Sequence, residues 1–261
     1  MSAVQETSFV TVQGHKLEVL RIAGAGAGAS TLVFLHEGLG SVAMWRDFPD
    51  KAASATGCAA VVYSRYGHGQ SEVLRGPRAV DYMHVEALEV LPELLERLGI
   101  EDPILVGHSD GASIALIHAA ASDGVKGLVV MAPHVFVEDL SVRSIAEAKT
   151  AFEGTDLAQK LGRYHADAAK TFRGWNDIWL HPDFRSWNIE EVLPRIVCPV
   201  LAIQGFDDEY GTMAQLEAIA RQTGGPIELS RLADCRHSPH RDQPAVVLEA
   251  MLRFIGRLEG A

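Results

Sequence analysis

Cysteine is scarce in this chain. Cys58, Cys198 and Cys235 are the three among 261 residues, odd in number and far apart. No disulfide framework follows from them, and a reducing, cytoplasmic setting is expected. Basic charge is also short: 23 Lys and Arg stand against 34 Asp and Glu, a formal net charge of −11. That balance argues against nucleic acid or an anionic membrane surface and leaves a small molecule as the expected partner. No apolar run approaches the ~20 residues needed to cross a bilayer, and residues 1–8 lack the basic-then-apolar order of a secretory signal. A monomer or a homodimer is expected. Internal repeats are lacking, and residues 23–30 are the only low-complexity linker. Their Ala/Gly alternation resembles a dinucleotide loop, but such a loop must follow a strand and open a helix. Here a strand over 31–36 comes next, so the segment reads as a flexible connector and no cofactor is expected.

What the chain does have is apolar sequence, 48% of it, in short runs separated by helical patterns. Strands are expected at 8–12, 15–22, 31–36, 59–64, 103–106, 127–132, 200–204 and 227–229. Helices are expected near 41–56, 79–98, 112–120, 212–222 and 243–258. In the second of these Val85, Leu88, Leu91, Leu95 and Leu98 recur at helical spacing, and Gly99 is placed to end it. Short apolar strands alternating with helices predict an α/β fold, a mostly parallel sheet covered on both faces, with the opening pair as an antiparallel edge. The alternation breaks over 134–192, a helical stretch carrying Phe152, Tyr164, Phe172, Trp175, Trp179, Phe184 and Trp187. Its position between two sheet strands suggests a lid, and its aromatics serve either a pocket or a small core of their own.

Chemistry enters at Gly107-His108-Ser109-Asp110-Gly111, between the apolar run 103–106 and the helical pattern 112–120. G-x-S-x-G between strand and helix is a nucleophile elbow, whose sharp turn requires small neighbours and lifts the hydroxyl clear of the sheet. The following helix start offers backbone N–H groups, that of Asp110 first, to a developing oxyanion. A serine hydroxyl needs a base in contact and an acid to orient the base, expected in that topology in the order serine, acid, histidine. The loop after 200–204 supplies Asp207 and Asp208; the loop after 227–229 supplies His237 and His240. Cys235, His237, His240 and Asp242 could also be metal ligands, but their spacing matches no zinc motif.

With these loops in order, the chain resembles the α/β-hydrolases along nearly its whole length, in particular the small capped esterases and carbon–carbon hydrolases. His36-Glu37-Gly38-Leu39-Gly40 is similar to the family's oxyanion loop, and Ser64-Arg65-Tyr66-Gly67-His68-Gly69-Gln70-Ser71 to its R-G-x-G-x-S loop. The resemblance implies an eight-stranded sheet with a helical cap inserted after the sixth strand, residues 134–192, the core being 1–133 and 193–261. It implies Ser109 as nucleophile, His237 as base, Asp208 as acid with Asp207 as fallback, and backbone donors at Asp110 and Gly38. His240, His36 and His108 are expected to brace loops. Two positions depart from the family pattern: Glu37 and Arg236 each replace a common glycine. A carboxylate at 37 is expected to point away from the oxyanion, and Arg236 to tighten its loop or set a cation beside the site. The activity implied is hydrolysis of a small or medium ester, lactone or thioester without a cofactor. Cleavage of a carbon–carbon bond in a ring-cleavage product is the first alternative, with Arg143, Arg163, Arg173 and Arg185 available to hold a carboxylate, and a non-catalytic binder is the second. A dehalogenase would need an acid at 109.

Overall fold

A computed structural model describes residues 5–25 and 29–260. Part of the expected connector, residues 26–28, therefore lies outside the described residues. Among them, eight strands form one sheet in the order β1-β2-β4-β3-β5-β6-β7-β8. The strands are β1 (Gln5–Val12), β2 (His15–Ile22), β3 (Thr31–Leu35), β4 (Ala59–Tyr63), β5 (Ile104–His108), β6 (Gly127–Met131), β7 (Val200–Gly205) and β8 (Ile227–Leu232). β1 and β2 pair antiparallel, as does β2 with β4; every later pairing is parallel. This is the α/β-hydrolase fold expected from the sequence.

The helices are α1 (Phe48–Thr56), α2 (Tyr82–Val85), α3 (Leu91–Leu98), α4 (Asp110–Ala121), α5 (Asp139–Gly154), α6 (Leu157–Leu161), α7 (Ala168–Trp179), α8 (Ala214–Gln222), α9 (Pro239–Asp242) and α10 (Pro244–Glu259). Strand side chains alternate between the two faces of the sheet. Leu32, Phe34, Ile104, Val106, Val129, Met131, Leu201 and Ile203 join one core with α1 and α10. Val33, Leu35, Leu105, Leu128, Val130, Val200 and Ala202 join the other with α2, α3, α4 and α8. Strands apolar on both faces suit a sheet buried on both sides.

Two helices differ from expectation. The one near 41–56 is broken: a 3-10 turn spans Val42–Trp45, and Arg46 at φ +55° separates it from α1. Between α2 and α3, Glu86–Val90 forms a π turn. The wider turn rotates the apolar stripe, so Met83, Ala87, Val90, Leu91, Leu94 and Leu95 face the core while Val85 and Leu88 are exposed.

β3 lies between β4 and β5, so the chain leaves its carboxyl end toward one neighbour and the elbow arrives from the other. Such a switch point opens a crevice at the strand ends. Helices α5, α6 and α7, and 3-10 turns at Pro182–Ser186 and Glu190–Arg195, lie in sequence between β6 and β7.

Candidate active site

Ser109 is the residue between β5 and α4. Its backbone sits at φ +53°, ψ −118°, a strained conformation for a side chain with a Cβ, costing about 1–3 kcal/mol. The flanking glycines explain how the turn closes. A Cβ on Gly111 would run into the carbonyls of Leu35 and His36, and one on Gly107 into the backbone of Gly111 and Ala112. The strain holds the hydroxyl at the N-terminus of α4, above the end of the sheet.

His237 reaches Ser109 from the loop after β8: its Nε2 lies 2.9 Å from Ser109 Oγ. Its Nδ1 lies 2.8 Å from Asp208 Oδ1. A carboxylate only accepts, so the ring proton sits on Nδ1 and the Nε2 lone pair faces the serine. Asp208 is fixed in turn: Oδ1 also accepts from Tyr210 N at 2.8 Å and Gly211 N at 3.2 Å, and Oδ2 from Gln204 Nε2 at 3.2 Å. Burial would raise the Asp208 carboxyl, but the His237 charge and these hydrogen bonds hold it below the ordinary range. Burial would lower His237; the charge and hydrogen bond of Asp208, with Glu209 and Glu37 behind them, outweigh it and raise the imidazole. Asp207, the fallback, is exposed and outside this chain of contacts.

A cavity of about 170 Å³ opens over Ser109, lined by Glu37, Gly38, Leu39, Asp110, His134, Ile145, Trp175, Trp179, Tyr210 and His237. Gly38 and Asp110 border it, and among the described residues the backbone N–H of neither donates to another backbone or side-chain group. The Asp110 carboxylate is engaged elsewhere: Tyr82 Oη donates to it at 2.7 Å, Trp179 Nε1 at 3.3 Å, and Arg65 lies 3.6 Å away. Glu37 lies against His108 and Arg241, at 3.4 and 3.3 Å.

The other predicted residues find distinct places. His36 Nε2 accepts from Arg65 N at 3.0 Å. His240 packs between Trp45 and Phe48 rather than hydrogen-bonding. Arg236 pairs with Glu209 at 3.1 Å, and Glu209 accepts from the backbone N–H of His237 at 3.2 Å. No group of three or more His, Cys, Asp or Glu among the described residues is arranged to hold a metal ion. No helix there is long and apolar enough to cross a membrane.

Sequence reasoning missed Glu209, Tyr210 and His134. Glu209 had a signal, since it directly follows the Asp pair. His134 lies just beyond the carboxyl end of β6, where site residues of such sheets collect. Burial and the nearby His237 push its imidazole down to about 3, so it is neutral.

A proline iminopeptidase of Lactobacillus delbrueckii subsp. bulgaricus is 29% identical over 112 residues, 42% of this chain and 38% of that protein. The matched segment thus spans little more than a third of the curated relative. Among solved structures, the naproxen esterase (carboxylesterase NP) of Bacillus subtilis superposes with a TM-score of 0.74 at 18% identity, covering 97% of this chain and 92% of that one. The haloalkane dehalogenase DbeA of Bradyrhizobium elkani USDA94 gives 0.78 at 16% identity, covering 98% and 99%. A peptidase, an esterase and a dehalogenase in one set show that the shared fold does not choose the chemistry. Residues 32–250 match the model of the alpha/beta hydrolase family, and the chain belongs to that family.

Proposed function

We propose that the protein is a serine hydrolase that cleaves a small carboxylic ester, lactone or thioester through an acyl-enzyme on Ser109. The observation that carries this reading is the unbroken contact Asp208–His237–Ser109, at 2.8 and 2.9 Å, ending in the cavity. His237 takes the Ser109 proton as the hydroxyl oxygen attacks the substrate carbonyl carbon. The oxyanion is met by the N–H groups of Asp110 and Gly38 at the positive end of α4. His237 returns the proton to the leaving alcohol or thiol. Water, deprotonated by the same ring, then releases the acid. Residues 134–192 act as a cap, with Ile145, Trp175 and Trp179 lining the cavity together with the serine.

Cavity size favours a small acyl group. The carbon–carbon alternative loses support because Arg143, Arg163, Arg173 and Arg185 are all absent from the lining. Arg173 borders a different cavity, with Arg75, Arg78 and Lys170, and Arg185 pairs with Asp139. A serine at 109 disfavours dehalogenation, which requires a carboxylate nucleophile.

The test is a fluorophosphonate probe on the purified protein, followed by p-nitrophenyl acetate, butyrate and octanoate, a lactone and a thioester. Labelling of Ser109 with turnover of the short esters is expected. Labelling with no turnover of any of them would favour a binder. Absence of labelling would remove the mechanism.

A further inference from the structure

We propose that Glu37 is a positioning residue for the base: through the His108 imidazole it braces the loop that carries His237 and joins it to the loop that carries Gly38. This inference rests on the reading of His237 as the general base.

His237 is held at three points. Asp208 takes the ring and Glu209 takes the backbone N–H. The third point is its backbone carbonyl, 2.7 Å from His108 Nε2. A carbonyl can only accept, so Nε2 of His108 carries a proton. His108 Nδ1 then faces Glu37 Oε2 at 3.4 Å, which is not a hydrogen bond and becomes an attractive ion pair when the ring carries a second proton. The other oxygen of Glu37 lies 3.3 Å from Arg241 Nη2, which also donates to Met44 O at 3.0 Å. The backbone of Glu37 is pinned as well, its carbonyl accepting from Arg65 Nη2 at 2.9 Å. Arg241, Glu37, His108 and the His237 carbonyl thus form one line that joins α9, the loop after β3, the end of β5 and the loop after β8. Glu37 is adjacent in sequence to Gly38, the proposed oxyanion donor. Two parts that must keep register during acyl transfer, the base and one oxyanion donor, are therefore coupled through one half-buried carboxylate.

The charge of Glu37 matters beyond its geometry. Facing it are His108 from β5, His240 and Arg241 from α9, and Arg65 from the loop after β4. Burial would raise its carboxyl, but the adjoining His108 ring and the Arg241 charge hold it well below the ordinary carboxylate range. It therefore stays ionised through neutral pH. Facing His237 are the acids Asp208, Glu209 and Glu37 and the rings of His108, His134 and Tyr210, with His240 beyond His108. Arg236 faces Glu209 from outside, as Arg241 faces Glu37. A negative Glu37 favours the imidazolium that forms when His237 takes the serine proton. Arg241, about a third exposed, offsets that field from the solvent side.

Glu37→Gln and Arg241→Gln test both roles. For each, kcat, KM and the rate of Ser109 phosphonylation by a fluorophosphonate are followed from pH 5 to 9 beside the wild type. Glutamine keeps the size of Glu37 and removes its charge. E37Q is expected to lower kcat about tenfold, with KM changed far less. Its acidic limb should move to lower pH, because the charge favouring protonated His237 is gone. R241Q should move the limb the opposite way, since Glu37 then acts unopposed. Limbs that stay put in both variants, or move in the same direction, overturn the inference even if kcat falls, because a purely structural contact would not produce opposite shifts. Should E37Q fail to fold, the sign of the R241Q shift alone decides. A wild type that is neither labelled nor active removes the reading of Ser109, and this inference with it. An active wild type with unmoved limbs removes this inference alone.

Discussion

The loops at the carboxyl ends of the sheet and the helical insertion between β6 and β7 are held by different forces. In the loops, polar groups distant in sequence meet in directed hydrogen bonds: Asp208 alone accepts from His237, Tyr210, Gly211 and Gln204. The insertion is held largely by ring faces. Phe152 stacks on Phe172 at 3.9 Å, Phe184 on Trp187 at 5.5 Å, and Trp179 meets Phe184 edge-on at 5.0 Å. Its bonds to the core include Thr171 Oγ1 to Gly67 O, His165 Nε2 to Leu39 O, and the Trp179 indole N–H to Tyr82 and Asp110. Hydrogen bonds fix atoms to within tenths of an ångström, whereas apolar contact is non-directional and tolerates sliding. Damage to the loops should therefore appear in kcat, and damage to the insertion in KM and substrate range.

The largest effects should fall on the directed contacts. Ser109→Ala and His237→Ala should each lower kcat by about 10⁴ to 10⁶, with the double variant little worse than either. Single-turnover assays on a short ester would show this; additive losses would mean the two do not act as a unit. Asp208→Asn should cost about 10³ to 10⁴ in kcat, while exposed Asp207→Asn should stay near wild type. Asp208 is also the main influence raising His237. A base at His237 would work neutral, so the acidic limb of kcat/KM in the wild type should lie above the ordinary imidazole range. In Asp208→Asn it should move down, burial then being less opposed. A limb that moved upward would reverse the electrostatic assignment.

An intermediate effect should appear where the two regions touch. A Cβ at Gly38 would fall onto the Trp175 indole nitrogen. Gly38→Ala must displace either the Trp175 indole or the loop bearing a proposed oxyanion donor, and a loss of about 10- to 100-fold in kcat/KM is expected. Trp175→Ala should mainly raise KM. Combining them should recover part of the Gly38→Ala loss, with a coupling of about 1 kcal/mol or more. Strict additivity would mean that the insertion leaves the loop in the working enzyme.

The contrast also explains what the sequence disclosed. Elbow, loop order and strand alternation were legible because each is a local pattern imposed by backbone geometry: Gly107 and Gly111 must be small where Ser109 turns. Among the acids, spacing could name Asp207 and Asp208 but not choose by reach; the structure brings Asp208 to His237 and leaves Asp207 exposed. The π turn at Glu86–Val90 was invisible, since Val85 and Leu88 keep the helical spacing that a regular helix would bury. In the insertion, composition gave the aromatics without their direction. Trp175 and Trp179 line the cavity, while Phe152 and Phe172 stack on each other. The partners of Glu37 come from the end of β5, from α9 and from the loop after β4, a coincidence of tertiary structure that no local pattern records.

The smallest effect should be at Trp179. Its indole N–H lies 3.1 Å from Tyr82 Oη and 3.3 Å from Asp110 Oδ1, while its ring packs on Phe184 and His134. Trp179→Phe keeps an aromatic ring and removes the donor. Asp110 still accepts from Tyr82 and still faces Arg65, so its carboxylate is not stranded. A loss of about 1 kcal/mol in unfolding free energy is expected, the usual net worth of one hydrogen bond with its partner otherwise satisfied. Because the Asp110 backbone N–H is set by the elbow and not by this side-chain bond, kcat on a short ester should change less than about threefold. KM for longer acyl chains should shift more, since the smaller ring enlarges the wall. Urea denaturation and an acyl-length series measure both. If Trp179→Phe instead lowers kcat as far as Asp208→Asn, the indole is holding the oxyanion donor, and the insertion belongs to the catalytic frame instead of guarding it.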